Sequence, residues 1–249
     1  MLRPAQSLAL RPLAAVQSWL ALRYAAIHDT LTLPRDVATL QQRNAELEAE
    51  VTSLQRQVVT LKEEAAKAEI LSALLGYART QPDNRYLAVN VIGRDVSPFI
   101  RSIWIGAGTD NGVERGMPVV TESGLVGRVA DAYATVARVQ LITDPAAAVN
   151  VRTQDSRADG VTIAQPNGEI WVDQISQEKE VKASELVLTS GLGGGYPPDI
   201  TVGQVISVRK RDYELFQQAV IRTNVDFANL EIVLVITSFH PLPVTTSTP

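Results

Sequence analysis

The two histidines are the first residues to consider for acid–base or nucleophilic chemistry. His28 lies in a helical pattern near the start of the chain, and His240 lies at the edge of a terminal tail. A serine, histidine and aspartate triad needs a histidine on the folded domain, and the long segment between these two positions contains none. The chain has no cysteine, which excludes thiol chemistry, disulfide bonds and cysteine-ligated metals.

Acidic residues are the remaining route to catalysis, as a pair of carboxylates acting as general acid and general base. Several aspartates lie beside predicted turns, where carboxylates commonly cap the backbone or meet solvent. We therefore favour a structural role for them, and we predict that the chain is not an enzyme and binds no cofactor or metal. These aspartates are Asp131, Asp144, Asp155, Asp159 and Asp173.

A glycine-rich stretch at 190–198 invites comparison with phosphate-binding loops. It lacks the Gly-Lys-Ser/Thr ending, it has Tyr196 where a dinucleotide fingerprint needs glycine, and no helical pattern follows. The composition is typical of a tight loop with several positive φ angles. Because Tyr196 is expected to be exposed, the stretch is a candidate partner-binding loop, consisting of Gly193, Gly194, Gly195 and Tyr196.

Charge and hydropathy restrict the classes of partner. A net charge of −4 and a pI near 5.3 do not predict a nucleic-acid-binding protein, which usually carries a basic surface. The basic run at 209–211 closes a predicted strand and is more typical of a solvated strand end than of a site for an acidic partner. No apolar stretch reaches the roughly 18 residues that a transmembrane helix needs.

The element that organises the chain is a heptad repeat between Asp36 and Ala68. Leucine recurs every seven residues at the d positions, and the a positions hold valine or, once, asparagine. Valine at a with leucine at d favours a parallel two-stranded coiled coil, and a single buried asparagine fixes its register at a cost in stability. An intramolecular bundle is the alternative, but no second long helix is predicted. The predicted dimer interface is Val37, Leu40, Asn44, Leu47, Val51, Leu54, Val58 and Leu61.

The segments around the repeat are less regular. Residues 1–34 are predicted to form an amphipathic helix region, which suits either a membrane surface or packing on the protein. Pro34 is expected to begin the next helix, and Gly76 is expected to end it. The coiled coil thus occupies 35–75, and 76–86 is predicted to be a linker.

From Tyr86 the hydrophobic period changes to two. About eleven short strands separated by turn signals predict barrels or sandwiches, and Pro166-Asn167-Gly168 predicts a hairpin. The tail at 240–249, which is rich in proline, threonine and serine, is predicted to be disordered. The predicted fold class is mainly β, with an N-terminal α-helical coiled coil.

The succession of short motifs after the repeat resembles the rod shape-determining protein MreC family. The resemblance extends from the start of the repeat to Thr237, and it depends on the order of many motifs rather than on any single one. These include Val91-Ile92-Gly93-Arg94-Asp95, Gly124-Leu125-Val126-Gly127-Arg128-Val129, Leu141-Ile142-Thr143-Asp144-Pro145, Val187-Leu188-Thr189-Ser190-Gly191 and Val233-Leu234-Val235-Ile236.

The resemblance implies a bitopic protein on the extracytoplasmic face of the plasma membrane, with a coiled coil and two small β-barrel-like domains outside the membrane. The first domain would comprise 87–145 plus 225–239, and the second 146–224. Such proteins are non-enzymatic scaffolds of cell-wall elongation. They form homodimers, assemble further, and link MreB and MreD to the class B penicillin-binding transpeptidase. The family's transmembrane anchor is missing here, so residues 1–34 would be juxtamembrane.

Two other classes of protein share parts of this pattern. A periplasmic adaptor of an efflux or secretion complex also joins helices to β-domains, but it usually has two antiparallel helical arms. A two-barrel serine hydrolase would need a histidine within the β region. The single long helix counts against the adaptor, and the absence of a histidine from the β region counts against the hydrolase.

Overall fold

The computed structural model describes residues 11–95, 97, 100–211 and 214–241, with side chains from Val37 onward. Within these ranges one long helix precedes twelve strands in two closed barrels. The mainly β fold with an N-terminal helix and two small barrels is confirmed, and the coiled coil stays a prediction. A boundary between Ala66 and Lys67 separates two compact units, the second of which holds the end of the helix and both barrels.

Helix α1 spans Arg11–Thr80. The expected helix start at Pro34 is wrong, because helical backbone is present on both sides of this residue. A proline inside a helix removes one backbone hydrogen bond and costs roughly 3 kcal/mol, and this local loss does not end an element of 70 residues.

The expected helix end at Gly76 is also wrong. A side chain at Gly76 would meet nothing within 4 Å, and glycine inside a helix costs only about 1 kcal/mol relative to alanine. Burial of the nearby Leu74 offsets that cost. The helix ends at Thr80, whose hydroxyl donates to the Tyr77 carbonyl at 2.6 Å, and Pro82 follows where the helix cannot continue.

Parts of two predictions lie outside the described residues. The amphipathic face of 1–34 depends on side chains that precede Val37, and most of the predicted tail lies beyond Pro241. Within the described helix, no segment is long and apolar enough to cross a membrane.

The first barrel contains the first five strands and the last strand of the chain. Its order is β1-β12-β3-β4-β5-β2, and every neighbouring pair is antiparallel. The final strand lies between β1 and β3, with Tyr86 opposite Ile236 and Leu234 opposite Val120. The strands are β1 (Tyr86–Arg94), β2 (Ser102–Ile105), β3 (Pro118–Thr121), β4 (Gly124–Ala132), β5 (Ala137–Leu141) and β12 (Ile232–Ile236).

The second barrel is formed by the intervening strands in the order β10-β11-β8-β7-β6-β9, again antiparallel throughout. The predicted Pro166-Asn167-Gly168 turn joins β7 to β8, and Gly168 has a φ of +94°. The strands are β6 (Asn150–Thr153), β7 (Asp159–Ala164), β8 (Ile170–Ser176), β9 (Leu186–Thr189), β10 (Thr201–Arg209) and β11 (Phe216–Arg222).

Two buried clusters stabilise the barrels. One comprises residues of the first barrel such as Val119, Val233 and Val235. The other joins the alternate residues of the same strands, Val120 and Leu234, to the second barrel and to the end of α1. Because alternate strand residues point to opposite faces, β12 is buried on both sides, which explains its uninterrupted apolar sequence. We call the second set the shared cluster.

Candidate functional site

The heptad positions of α1 form an apolar stripe on the helix surface. The valines and leucines at these positions are each between 50% and 68% exposed in the single chain, and Asn44 is exposed as well. A helix with one apolar stripe normally packs that stripe against another element. The structure therefore places all eight residues of the predicted dimer interface on a continuous helix, with their side chains available to a partner.

The flanks of this stripe are polar. Gln42 donates to Glu46 at 3.1 Å, and the hydroxyls of Thr52 and Thr60 bond back to carbonyls one turn earlier. These contacts lie within the helix and leave the stripe uncovered. An apolar stripe with polar margins is the arrangement of a coiled-coil helix.

The glycine-rich loop is folded against its own barrel. Gly191, Gly193 and Gly194 have φ between 65° and 74°, and the Asn150 side-chain amide donates to the Leu192 carbonyl at 2.9 Å. The predicted tight loop with positive φ angles is thus present.

The expected exposure of Tyr196 is wrong. Its side chain is only 6% exposed and belongs to the shared cluster, whose other members come from both barrels and α1. Burial raises the pKa of Tyr196 to about 12. The large apolar area of the ring makes burial between the barrels favourable, so the loop presents Leu192 to solvent instead.

Glu185 is a buried carboxylate that sequence reasoning did not single out. Its Oε1 accepts hydrogen bonds from the amides of Asp155 and Ser156, at 2.9 and 2.6 Å, and from the Ser156 hydroxyl at 2.8 Å. Oε2 accepts from the Lys182 amide at 3.2 Å. Burial by itself raises the pKa of a carboxyl group, but these donors hold the pKa of Glu185 below its usual value. Its role is to organise the turn after β6, and nothing in the local sequence pattern marks it.

Most of the candidate catalytic aspartates have structural partners. Asp131 pairs with Arg138, and Asp159 pairs with Arg152 at 2.8 Å. Asp144 accepts from the Arg101 amide at 2.7 Å. In the part of the chain that the structure describes, no cluster of three or more acidic or histidine side chains could hold a metal ion.

The basic run after β10 also makes contacts within the second barrel. The Arg209 guanidinium lies 4.3 Å from the centre of the Trp171 ring, and the Lys210 ammonium donates to the Gln177 carbonyl at 3.3 Å. Arg211 pairs with Glu214 at 2.8 Å. All three basic residues are nevertheless exposed, as expected of a solvated strand end.

Comparison with known proteins identifies a family model over residues 91–237, described as "Rod shape-determining protein MreC, barrel core". A curated relative from Cereibacter sphaeroides, named "Cell shape-determining protein MreC", is 27% identical over 82% of this chain and 66% of its own length. The relative of the same name from Escherichia coli K12 is 29% identical over 72% of this chain and 49% of its own. The chain thus spans about half to two thirds of the length of these relatives.

Solved structures named MreC are similar in fold to this chain. A chain named "MreC" matches with a TM-score of 0.63 at 27% identity, over 69% of this chain and 98% of its own. A Listeria monocytogenes MreC structure matches with a TM-score of 0.60 at 26% identity, over 82% and 98%. A complex of Penicillin-Binding Protein (PBP2) and MreC from Helicobacter pylori matches with a TM-score of 0.52 at 19% identity, over 62% and 98%, which supports the fold alone.

Proposed function

The chain belongs to the MreC family of rod shape-determining proteins, and from this premise we propose that it acts as a dimeric, non-enzymatic scaffold of cell-wall elongation. The observation that carries the proposal is the exposed heptad stripe from Val37 to Leu61. Two copies would bury their stripes against each other in a parallel coiled coil. The paired helices would then carry two pairs of β-barrels.

The residue types along the stripe support the parallel dimer. Val37, Val51 and Val58 hold a positions and leucines hold the d positions, which is the combination that favours two strands. Asn44 is the polar member, and an asparagine pair at one a position penalises shifted registers. Arg43 would lie near Glu48 of the partner helix in this register, which adds an attractive contact.

The proposed partners come from the family. The Helicobacter pylori complex joins an MreC to a penicillin-binding protein, and we propose that this chain also binds a class B transpeptidase. We further propose MreD and MreB as partners, and a position on the extracytoplasmic face of the plasma membrane through an anchor. The exposed part of the glycine-rich loop, with Leu192 and Gly193, is one proposed contact for a partner. The adaptor interpretation is not favoured, since the family model extends over the barrels.

Sedimentation of the full chain tests the dimer. Leu47→Asp places a charge in the seam and should convert the dimer to a monomer, because burying an unpaired carboxylate is strongly unfavourable. Ala49→Asp adds the same charge at the outer f position and should leave the dimer intact. A wild-type chain that remains monomeric at high concentration, or a dimeric Leu47→Asp chain, would contradict the proposal.

The role of Asn44 is tested separately. Asn44→Val should stabilise the helical rod while allowing additional registers or oligomeric states, because the buried polar pair is removed. Thermal unfolding and sedimentation equilibrium measure the two effects. If the variant remained strictly dimeric in a single register, Asn44 would not be the residue that specifies pairing.

A further inference from the structure

Two aromatic side chains lie together on the outer surface of the first barrel. The rings of Trp104, on β2, and Tyr133, just after β4, are nearly parallel, with centroids 6.0 Å apart and 25° between their planes. Tyr133 is 53% exposed and Trp104 is half-buried. The pair therefore presents apolar ring surface to solvent, and we call these two residues the aromatic platform.

Hydrogen bonds hold the aromatic platform in place. The Trp104 indole Nε1 donates to the Asp95 carboxylate at 3.3 Å. The Tyr133 carbonyl accepts from the Thr109 amide at 2.8 Å. A Cβ atom at Gly108 would overlap that carbonyl oxygen, so only glycine allows the chain to approach Tyr133 this closely. Rings that are fixed in advance lose little conformational entropy when a ligand binds.

A cross-strand ion pair adjoins the aromatic platform. Arg138 of β5 is the strand partner of both Trp104 and Asp131, and its Nε donates to the Asp131 Oδ2 at 2.8 Å. Among the described residues, the Arg138 Nη1 and the Asp131 Oδ1 make no hydrogen bond. An unused donor and an unused acceptor thus lie beside the exposed rings.

The same ion pair lines a small cavity of about 180 Å³. Ile100 and Ala130 supply apolar lining, and Gln140 supplies an amide whose nitrogen donates to Asp144 at 3.2 Å. Gln140 and Arg138 are two residues apart, so they share one face of β5 at a spacing of about 7 Å. Because Arg138 also adjoins the aromatic platform, the platform and the cavity form one elongated surface, which we call the β5 surface.

The charges of the β5 surface favour a neutral ligand. Arg115 and Arg138 are balanced by three carboxylates, those of Asp95, Asp131 and Asp144, whereas a surface for nucleic acid is usually basic. The centre of a protein interface is normally depleted of charged residues, but here the Arg138–Asp131 pair lies between the platform and the cavity. The surface therefore suits an uncharged ligand that is rich in hydroxyl or amide groups.

A linear chain of N-acetylated hexosamines has this chemistry. A sugar ring with equatorial substituents presents axial C–H groups on its faces, and these pack on the electron-rich face of an aromatic ring. Its hydroxyl groups both donate and accept hydrogen bonds, which matches the Arg138–Asp131 pair. An acetamido group combines a methyl, an N–H and a carbonyl, which matches the mixed apolar and polar lining of the cavity.

We propose that the β5 surface binds the glycan strands of the cell wall, with one sugar ring on the aromatic platform and a neighbouring acetamido group in the cavity. The inference rests on the proposed extracytoplasmic position, since only there would the barrels meet these strands. It extends the proposed scaffold function, because the first barrel would hold the wall polymer in addition to protein partners. The proposed coiled-coil dimer does not depend on it.

Titration calorimetry of the full chain with chitotetraose, a soluble N-acetylglucosamine tetramer, tests the platform. Tyr133→Ala removes an exposed ring and should weaken binding about tenfold, the effect of losing one stacking contact. Tyr133→Phe keeps the ring and should bind with nearly the wild-type dissociation constant. Phe216→Ala removes a ring that is 48% exposed on β11 of the second barrel, so it is the matched control and should bind like wild type. An unchanged unfolding midpoint shows that each variant is folded.

Cellotetraose tests the cavity. It has the same linear β-linked backbone, but hydroxyl groups replace the acetamido groups, so it should bind wild type about fivefold more weakly, the effect of losing one hydrogen bond. Gln140→Ala should reduce this preference. Gln218→Ala removes a similar amide from β11, where it donates to Asp173 at 3.2 Å, and should keep the preference. Equal dissociation constants of wild type for the two sugars would overturn the placement of the acetamido group.

Three results would overturn the inference as a whole. The first is no binding of chitotetraose to the wild-type chain at millimolar concentration, and the second is equal binding by wild type and Tyr133→Ala. The third is an equal loss for Phe216→Ala and Tyr133→Ala, which would indicate non-specific stacking. If no chitotetraose binds while Tyr133→Ala weakens binding of a purified class B transpeptidase, the β5 surface is a protein interface and the inference fails. None of these results affects sedimentation of the full chain, so the proposed dimer is tested separately.

Discussion

Replacing Leu74 by alanine should destabilise the barrels by about 2–3 kcal/mol. Leu74 is 1% exposed and packs in the shared cluster, and buried leucine-to-alanine changes cost about 2–5 kcal/mol. Leu74 also lines an open cavity beside Tyr86 and Ala88 of β1, so the vacated space would open to water rather than remain an empty internal cavity. The expected loss therefore lies toward the lower end of this range.

Guanidinium unfolding, followed by tryptophan fluorescence, measures the loss. Trp104 lies on β2 of the first barrel and Trp171 on β8 of the second, and the third tryptophan is Trp19. In a Trp19→Phe background, Trp104→Phe and Trp171→Phe versions therefore assign the signal to one barrel or the other. Because the shared cluster joins both barrels to α1, the loss should appear in both signals. A Leu47→Asp background removes the proposed association of rods from the measured free energy of unfolding.

The neighbouring leucine is the control. Leu75 is 59% exposed, and exposed substitutions usually change stability by less than about 0.5 kcal/mol. Leu75→Ala should therefore leave the unfolding midpoint in this background almost unchanged. Two results would refute the placement of Leu74 on the buried face and Leu75 on the exposed face of α1. One is an equal decrease in the free energy of unfolding for Leu74→Ala and Leu75→Ala, and the other is a decrease below about 0.5 kcal/mol for Leu74→Ala.

Three further substitutions test buried polar and aromatic groups. Tyr77→Phe should raise the free energy of unfolding by about 1 kcal/mol, because the Tyr77 hydroxyl is buried with no hydrogen-bond partner among the described residues; a destabilised variant would contradict this. Tyr196→Ala should lower the free energy of unfolding by about 3–5 kcal/mol, because a large buried side chain is removed. A decrease below about 0.5 kcal/mol, as for an exposed loop residue, would argue against burial between the barrels. Glu185→Gln should cost about 1–2 kcal/mol at pH 7. The folded pKa of Glu185 is lowered, so its carboxylate stabilises the fold fully above the unfolded pKa, and this stabilisation is lost as the pH falls through the folded pKa. The free energies of unfolding of wild type and Glu185→Gln should therefore converge when they are measured at decreasing pH.

The change of hydrophobic period near Tyr86 identifies the two parts of the chain from sequence alone. Heptads and strand alternation are local patterns set by the geometry of one element, and the stripe residues from Val37 to Leu61 are found on a helix as predicted. The turn at Pro166-Asn167-Gly168 is equally local, because the conformational preferences of its own residues determine it.

Pairing and burial depend on surfaces that come from distant parts of the chain. The pattern of β12 predicts a strand, and its return to the first barrel was expected only from the family resemblance. Its place between β1 and β3 was not predicted, since periodicity does not specify a partner. Tyr196 was expected to be exposed, yet its ring is buried in a cluster formed by both barrels. The lowered pKa of Glu185 results from amides of a separate turn.

The sequence by itself determined which elements form and which face of α1 is apolar, because these are properties of neighbouring residues. Only the tertiary structure decided which face the barrels cover, because that depends on contacts between residues far apart in the chain.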